Sequence, residues 1–85
     1  MYFVYVLKSK KNHKYYYGFT NNIELRLRQH NDGSVTSTKS RIPFDLAYYE
    51  TVATLLEARK REKYFKSGFG RKYIKNKLLA LSSIG

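Results

Sequence analysis

Two aromatic, β-branched segments separated by a short polar stretch constrain this chain most. Residues 2–8 read Tyr-Phe-Val-Tyr-Val-Leu-Lys, and residues 15–20 read Tyr-Tyr-Tyr-Gly-Phe-Thr. Both compositions favour an extended, pleated backbone. Between them, Ser9 to Lys14 is polar and lysine-rich, with Asn12 suited to a turn. The spacing predicts an antiparallel hairpin. In its second strand Tyr15, Tyr17 and Phe19 share one face, and Tyr16, Gly18 and Thr20 the other.

Asn21 and Glu24 have capping-box spacing, which predicts a helix over 22–30 stopped by Asn31-Asp32-Gly33. Residues 33–42 are mostly Gly, Ser, Thr, Lys and Arg and read as an exposed loop. Pro43 leads into a third strand over 44–51. Thr54 and Glu57 form a second capping-box pair, opening a helix over 55–66 that ends at Ser67-Gly68, with Gly68 as its C′ residue. A last helix over 71–81 is basic on one side and carries Tyr73, Ile74, Leu78, Leu79 and Leu81. The expected fold is α+β: a small three-stranded, mostly antiparallel sheet flanked by helices, in the order β-β-α-β-α-α. At 85 residues the expectation is one domain over 1–85 with a thin core.

Charge then narrows the partners. Lys and Arg number 17 against 6 Asp and Glu, a net charge of +11. Such a field attracts polyanions by steering and counterion release. Nucleic acid is the first expectation, an anionic membrane surface the second, and a merely soluble basic protein the third. The helices lack an exposed Trp/Phe face, which argues against the membrane surface. Cysteine is absent, which excludes a disulfide scaffold, a thiol nucleophile, a zinc ribbon and an iron–sulfur site. Two His and six carboxylates argue against a multi-metal carboxylate cage. Residues 1–7 are too short to span a bilayer and lack a basic n-region, so the expected location is cytoplasmic.

Three anomalies point to chemistry. On the wheel of the 55–66 helix, Leu55, Ala58, Glu62 and Phe65 form one stripe, so Glu62 lies amid apolar positions. A carboxylate there needs a cation or hydrogen bonds. It is either an ion-pair partner of a nearby Arg or a metal ligand. In the 22–30 helix, Ile23 and Leu27 define the buried side; Arg26 and His30, four apart, share a face bordering it. Arg26 is either a phosphate clamp or a snorkelling side chain. His30 is either a functional group or a C-terminal dipole partner. Third, Tyr5 and Tyr16 are brought near each other by strand pairing, beside the space that Gly18 leaves open. Tyr2, Tyr15, Tyr17, Tyr48 and Tyr49 are assigned to core and sheet packing.

Together these residues resemble the GIY-YIG nuclease family. Phe3-Val4-Tyr5 and Tyr16-Tyr17-Gly18 look like the two halves of its motif. Ten residues after Tyr16 comes Arg26, where the family has an Arg, and His30 follows four further on. Glu57-Ala58-Arg59-Lys60-Arg61-Glu62 resembles its Glu-Ala-x-x-x-Glu pattern, whose second Glu is functional and falls on Glu62. The run 61–68 is similar to small, single-domain bacterial members related to the UvrC nuclease domain. Three positions depart from the pattern. Phe3 stands where Gly is usual, Phe19 where the repair enzymes carry Lys, and Asn76 is an imperfectly spaced match for an Asn that follows the Glu.

The resemblance implies hydrolysis of a phosphodiester in nucleic acid, DNA before RNA, with one divalent cation, Mg²⁺ or Mn²⁺. It implies catalytic roles for Tyr5, Tyr16, Arg26, His30 and Glu62, with Glu62 the metal ligand and Gly18 the motif's backbone position. Tyr5 and Tyr16 stay unranked as the group that activates water. Arg59, Lys60, Arg61, Lys63, Lys66, Arg71, Lys72, Lys75 and Lys77 flank Glu62 in sequence and suit a phosphate backbone. Lys39 and Arg41 in the 33–42 loop suit a second strand. The alternative is a nucleic-acid-binding module that keeps the fold without catalysis.

Overall fold

The computed structural model describes residues 1–84, with side-chain surroundings described through Ala80. The side chain of Leu81, named above on the last helix, lies outside them. Three strands, β1 (Tyr2–Ser9), β2 (Tyr15–Thr20) and β3 (Phe44–Val52), form an antiparallel sheet in the order β2-β1-β3. Three helices, α1 (Ile23–Asp32), α2 (Leu55–Lys66) and α3 (Gly68–Ile84), complete the order β-β-α-β-α-α. This is the expected α+β architecture.

β1 is central and covered on both faces, so Val4, Tyr5, Val6 and Leu7 are all buried. Alternation sends them to two separate cores. Val4 and Val6 join Ala58, Phe65 and Ile74 under α2 and α3, with Tyr17, Phe19 and Tyr48 packed around them. Tyr5 and Leu7 join Phe44 on the α1 side, with Tyr16, Ile23 and Leu27. The two faces of β2 divide as its alternation requires. A bulge between Val6 and Leu7 shifts the β1–β3 register, so Val6 faces Tyr48 and Leu7 faces Leu46.

Several local expectations are corrected. The N-cap of α1 is Asn22, not Asn21: Asn22 Oδ1 accepts from the Leu25 N–H at 3.1 Å, and Thr20 Oγ1 accepts from the Asn22 N–H at 3.1 Å. α1 runs on to Asp32 before Gly33, at φ 85°, ends it. Thr54 caps α2 as expected, accepting from the Glu57 N–H. Gly68 is not a left-handed C′ residue. Instead Ser67 ends α2 and starts α3, its Oγ accepting from the Gly70 N–H at 3.1 Å. The corner is tight enough that a Cβ on Gly70 would come within 2.7 Å of the Phe65 Cα. The α2 stripe holds at Ala58 and Phe65, both fully buried, but Leu55 is exposed. Tyr15 and Tyr49 are exposed as well, against their assignment to packing, and so is Leu79 on α3.

A polar knot ties β3 to α2 and α3. Glu50 accepts from Arg61 Nε at 2.8 Å, Tyr48 Oη at 2.6 Å and Tyr73 Oη at 3.0 Å. The Arg61 guanidinium lies over the rings of Tyr64, Phe65 and Tyr73, 4.8 to 5.1 Å from their centroids. Burial pushes the Glu50 carboxyl up, but the hydrogen bonds from Arg61, Tyr48 and Tyr73 outweigh it and hold the carboxyl below its ordinary value. Arg61 is therefore a structural cation rather than one of the free charges counted for a phosphate backbone.

Candidate active site at the open edge of β2

β2 is an edge strand, and a cleft of about 550 Å³ wraps its open side. One bank is built by the α1 face of the sheet. Tyr5 is buried on β1 directly opposite Gly18 on β2. Its ring lies across the glycine so closely that a Cβ there would meet the Tyr5 Cζ at 2.6 Å. Gly18 is thus the residue that lets the Tyr5 hydroxyl reach the cleft. Arg26 Nε donates to Tyr5 Oη at 3.3 Å, and Arg26 Nη1 donates to Gln29 Oε1 at 3.3 Å. The Tyr5 hydroxyl also lies 3.2 Å from His30 Nε2. The four-residue spacing on α1 does put Arg26 and His30 on one face, and that face meets Tyr5.

His30 has a second partner that the sequence hid. Its Nδ1 lies 2.8 Å from Thr38 Oγ1. Thr38 is buried at 5 % exposure, in the stretch expected to be an exposed loop. The stretch turns inward because Thr38 leads into a 3-10 turn, Lys39–Arg41. The Thr38 hydroxyl donates to the Val35 carbonyl at 3.4 Å. Satisfying each donor then places the imidazole proton on Nδ1, toward Thr38, and leaves Nε2 to accept the Tyr5 O–H. Burial, with a smaller contribution from Arg26, lowers the His30 pKa below 6.5. At neutral pH the ring is uncharged, as an acceptor must be.

That shift links the site to stability. The unfolded chain binds a proton at His30 near pH 6.5, whereas the folded site resists it to lower pH. The stability contributed here is complete above about pH 6.5 and is lost as pH falls through the lower folded value. Thermal unfolding should therefore show Tm falling as pH drops below about 6.5, and His30→Gln should flatten that part of the profile. A profile unchanged by the substitution would mean that His30 titrates alike in both states.

Tyr16 occupies a different setting. Its hydroxyl accepts from Asn12 Nδ2 at 3.1 Å and its ring meets Phe44 edge-on. The Arg41 guanidinium lies 5.8 Å from the Tyr16 ring centroid and is anchored by its Nη1 to the Ser37 carbonyl and Ser40. Tyr16 lines the same cleft, but its hydroxyl is bonded to Asn12 rather than to Arg26 or His30.

The other bank comes from α2 and α3: Glu62, Lys66 and Arg71 line the cleft across from Tyr5, Arg26 and His30. Glu62 is half-buried, and its Oε1 pairs with Lys66 Nζ at 3.1 Å. The partner is thus the lysine one turn along, not an arginine. Among the described residues no group of three His, Cys, Asp or Glu could hold a metal, and Glu62 is the carboxylate among those lining the cleft, so a cation here would have one protein carboxylate. Glu62 fits that demand: a hard oxygen donor on a cleft wall, with room for water and phosphate oxygens to complete the shell.

Not every residue expected at the interface lies here. Lys39, Arg59, Lys63, Lys72 and Lys75 are exposed on neighbouring surfaces, and Lys60 lines a separate hollow with Val52, Glu57, Arg61 and Tyr64. Asn76 is exposed on α3 and does not line the cleft. Phe19, where the related enzymes carry Lys, packs against the α2–α3 core, and Phe3 packs on Tyr49.

Among the described residues no helix is long and apolar enough to cross a membrane. Comparison with known proteins agrees with the fold. The chain is 46 % identical over 65 residues to a UPF0213 protein of Bacillus licheniformis, covering 75 % of this chain and 66 % of the relative. It is 43 % identical to the UPF0213 protein YazA of Bacillus subtilis, covering 75 % of this chain and 65 % of the relative. The match thus spans just under two thirds of those relatives. The solution NMR structure of the UPF0213 protein BH0048 from Bacillus halodurans superimposes with a TM-score of 0.54 at 30 % identity, covering 95 % of this chain and 85 % of that one. The family model of the GIY-YIG catalytic domain matches residues 1–76, which include both banks of the cleft, and the chain belongs to that family.

Proposed function

We propose that this chain is a metal-dependent endonuclease that hydrolyses phosphodiester bonds of nucleic acid, DNA before RNA, with low sequence specificity. Membership of a nuclease family supports the reaction class. The observation that carries the reading is the Tyr5 hydroxyl, held between Arg26 Nε and His30 Nε2 and facing a cleft with Glu62 on its other bank. A module that only bound nucleic acid would need the cations but not this buried donor–acceptor chain.

Tyr5 is the group proposed to take a proton from the attacking water, because His30 Nε2 is placed to receive the Tyr5 proton in turn. Arg26 stabilises charge on the non-bridging phosphate oxygens. Glu62 would hold Mg²⁺ or Mn²⁺, which supplies Lewis-acid stabilisation of the phosphoryl and leaving oxygens. Lys66 and Arg71, beside Glu62, hold the flanking phosphates. Low sequence specificity follows from a surface whose proposed contacts are all to the backbone.

The test is incubation of the chain with branched, nicked, duplex and single-stranded DNA and RNA, with Mg²⁺, with Mn²⁺ and with chelator. Cleavage of at least one substrate that stops with chelator is expected. Salt-sensitive binding with no cleavage of any substrate would favour the binding-module reading.

A further inference from the structure

Beyond β2 the cleft continues into a second hollow of about 540 Å³, lined by His13, Lys14, Tyr15, Tyr17 and Arg71. Tyr15, Tyr17 and Arg71 line both spaces, so the hollow adjoins the proposed scissile position. Its size is within the roughly 300–1,000 Å³ of small-ligand sites. No carboxylate lies among these lining residues, whereas Lys14 and Arg71 supply positive charge. Tyr15 is 39 % exposed, and Lys8 Nζ lies 5.8 Å from its ring centroid. A half-exposed tyrosine at the start of an edge strand, with Lys8 near its ring and Lys14 and Arg71 lining the same hollow, contributes little to the core.

Resting on the nuclease reading, we propose that this hollow is a subsite for one unpaired nucleotide beside the scissile phosphate. Tyr15 stacks on the base, and Lys14 and Arg71 hold the adjoining phosphate. A base within a duplex has both faces covered by its neighbours, so only an unpaired or flipped base presents a face to the ring. Stacking of this kind tolerates any base. The subsite therefore selects substrate structure rather than sequence, which would direct the enzyme to single-stranded segments, flaps or junctions.

Binding in chelator tests the proposal without cleavage. The probes are a labelled single-stranded oligothymidylate and a blunt duplex of equal length, followed by anisotropy. Tyr15→Leu keeps side-chain bulk but removes the π face. It should weaken single-strand binding about 5- to 100-fold and change duplex binding by less than about twofold. Tyr15→Phe should match the parent protein. Circular dichroism checks that the hairpin survives. Equal losses on both probes, or no loss on the single strand, would overturn the subsite. Absence of metal-dependent cleavage by the parent protein would instead overturn the nuclease reading, and the two failures are read in separate assays.

Discussion

Glu62→Gln should abolish metal-dependent cleavage and leave the fold intact. The substitution keeps volume and hydrogen-bonding capacity but removes the charge that a divalent cation requires. Glu62 is half-buried on the cleft wall, and among the described residues its salt bridge is the one-turn pair with Lys66. Such pairs contribute about 0.3–0.5 kcal/mol, so stability should shift by no more than that. Binding to nucleic acid should persist or tighten, because one negative charge leaves a basic surface. Glu57→Gln is the control from the same helix. Glu57 Oε2 accepts from the Ala53 N–H at 3.1 Å, and the residue lies outside the cleft lining. That variant should keep full activity and lose at most about 1 kcal/mol of stability. Unfolding of Glu62→Gln, or normal cleavage by it, would make Glu62 a structural residue.

Arg26→Ala should lower kcat about 10²- to 10³-fold, with a much smaller change in KM. The proposed partner of Arg26 is charge that develops only in the transition state. Its loss also removes the donor at 3.3 Å that fixes the Tyr5 hydroxyl. Arg28, on the same helix, is exposed and lines no part of the cleft. Arg28→Ala should leave kcat unchanged and affect only the salt dependence of binding. Steady-state kinetics on one substrate compares the two. Equal losses would show that general positive charge, rather than the Arg26 position, matters.

Much of this site was legible in one dimension because it rests on short-range periodicity. Alternation placed Tyr16 and Gly18 on one face of β2. The 3.6-residue period placed Arg26 with His30, and Glu62 on the side of Ala58 and Phe65. What stayed hidden depends on contacts between distant elements. Thr38 looked solvated within a polar run, yet a 3-10 turn buries it against a helix eight residues earlier. Arg61 looked like another free cation, but its carboxylate partner is 11 residues away on β3. A helical wheel gives direction but not the extent of the surface that covers it, so Leu55 falls on the stripe and is still exposed. Gly68 looked like a helix stop because an immediate restart, with Ser67 serving both helices, has no separate signal in composition. Tyr15 resembled its neighbours Tyr16 and Tyr17 in type, and its exposure at the start of β2 is what distinguishes it.

The most direct test of the central claim compares Tyr5→Phe with Tyr16→Phe in single-turnover cleavage under saturating Mg²⁺. Both substitutions remove one hydroxyl and keep the ring. Only the Tyr5 hydroxyl is tied to both Arg26 and His30. Tyr5→Phe is expected to lose at least about 100-fold in rate, as for removal of a positioned acid–base group, while Tyr16→Phe stays within a few-fold of the parent protein. Near-parental cleavage by Tyr5→Phe, or the larger loss in Tyr16→Phe, would contradict the assignment of Tyr5 as the water-activating group.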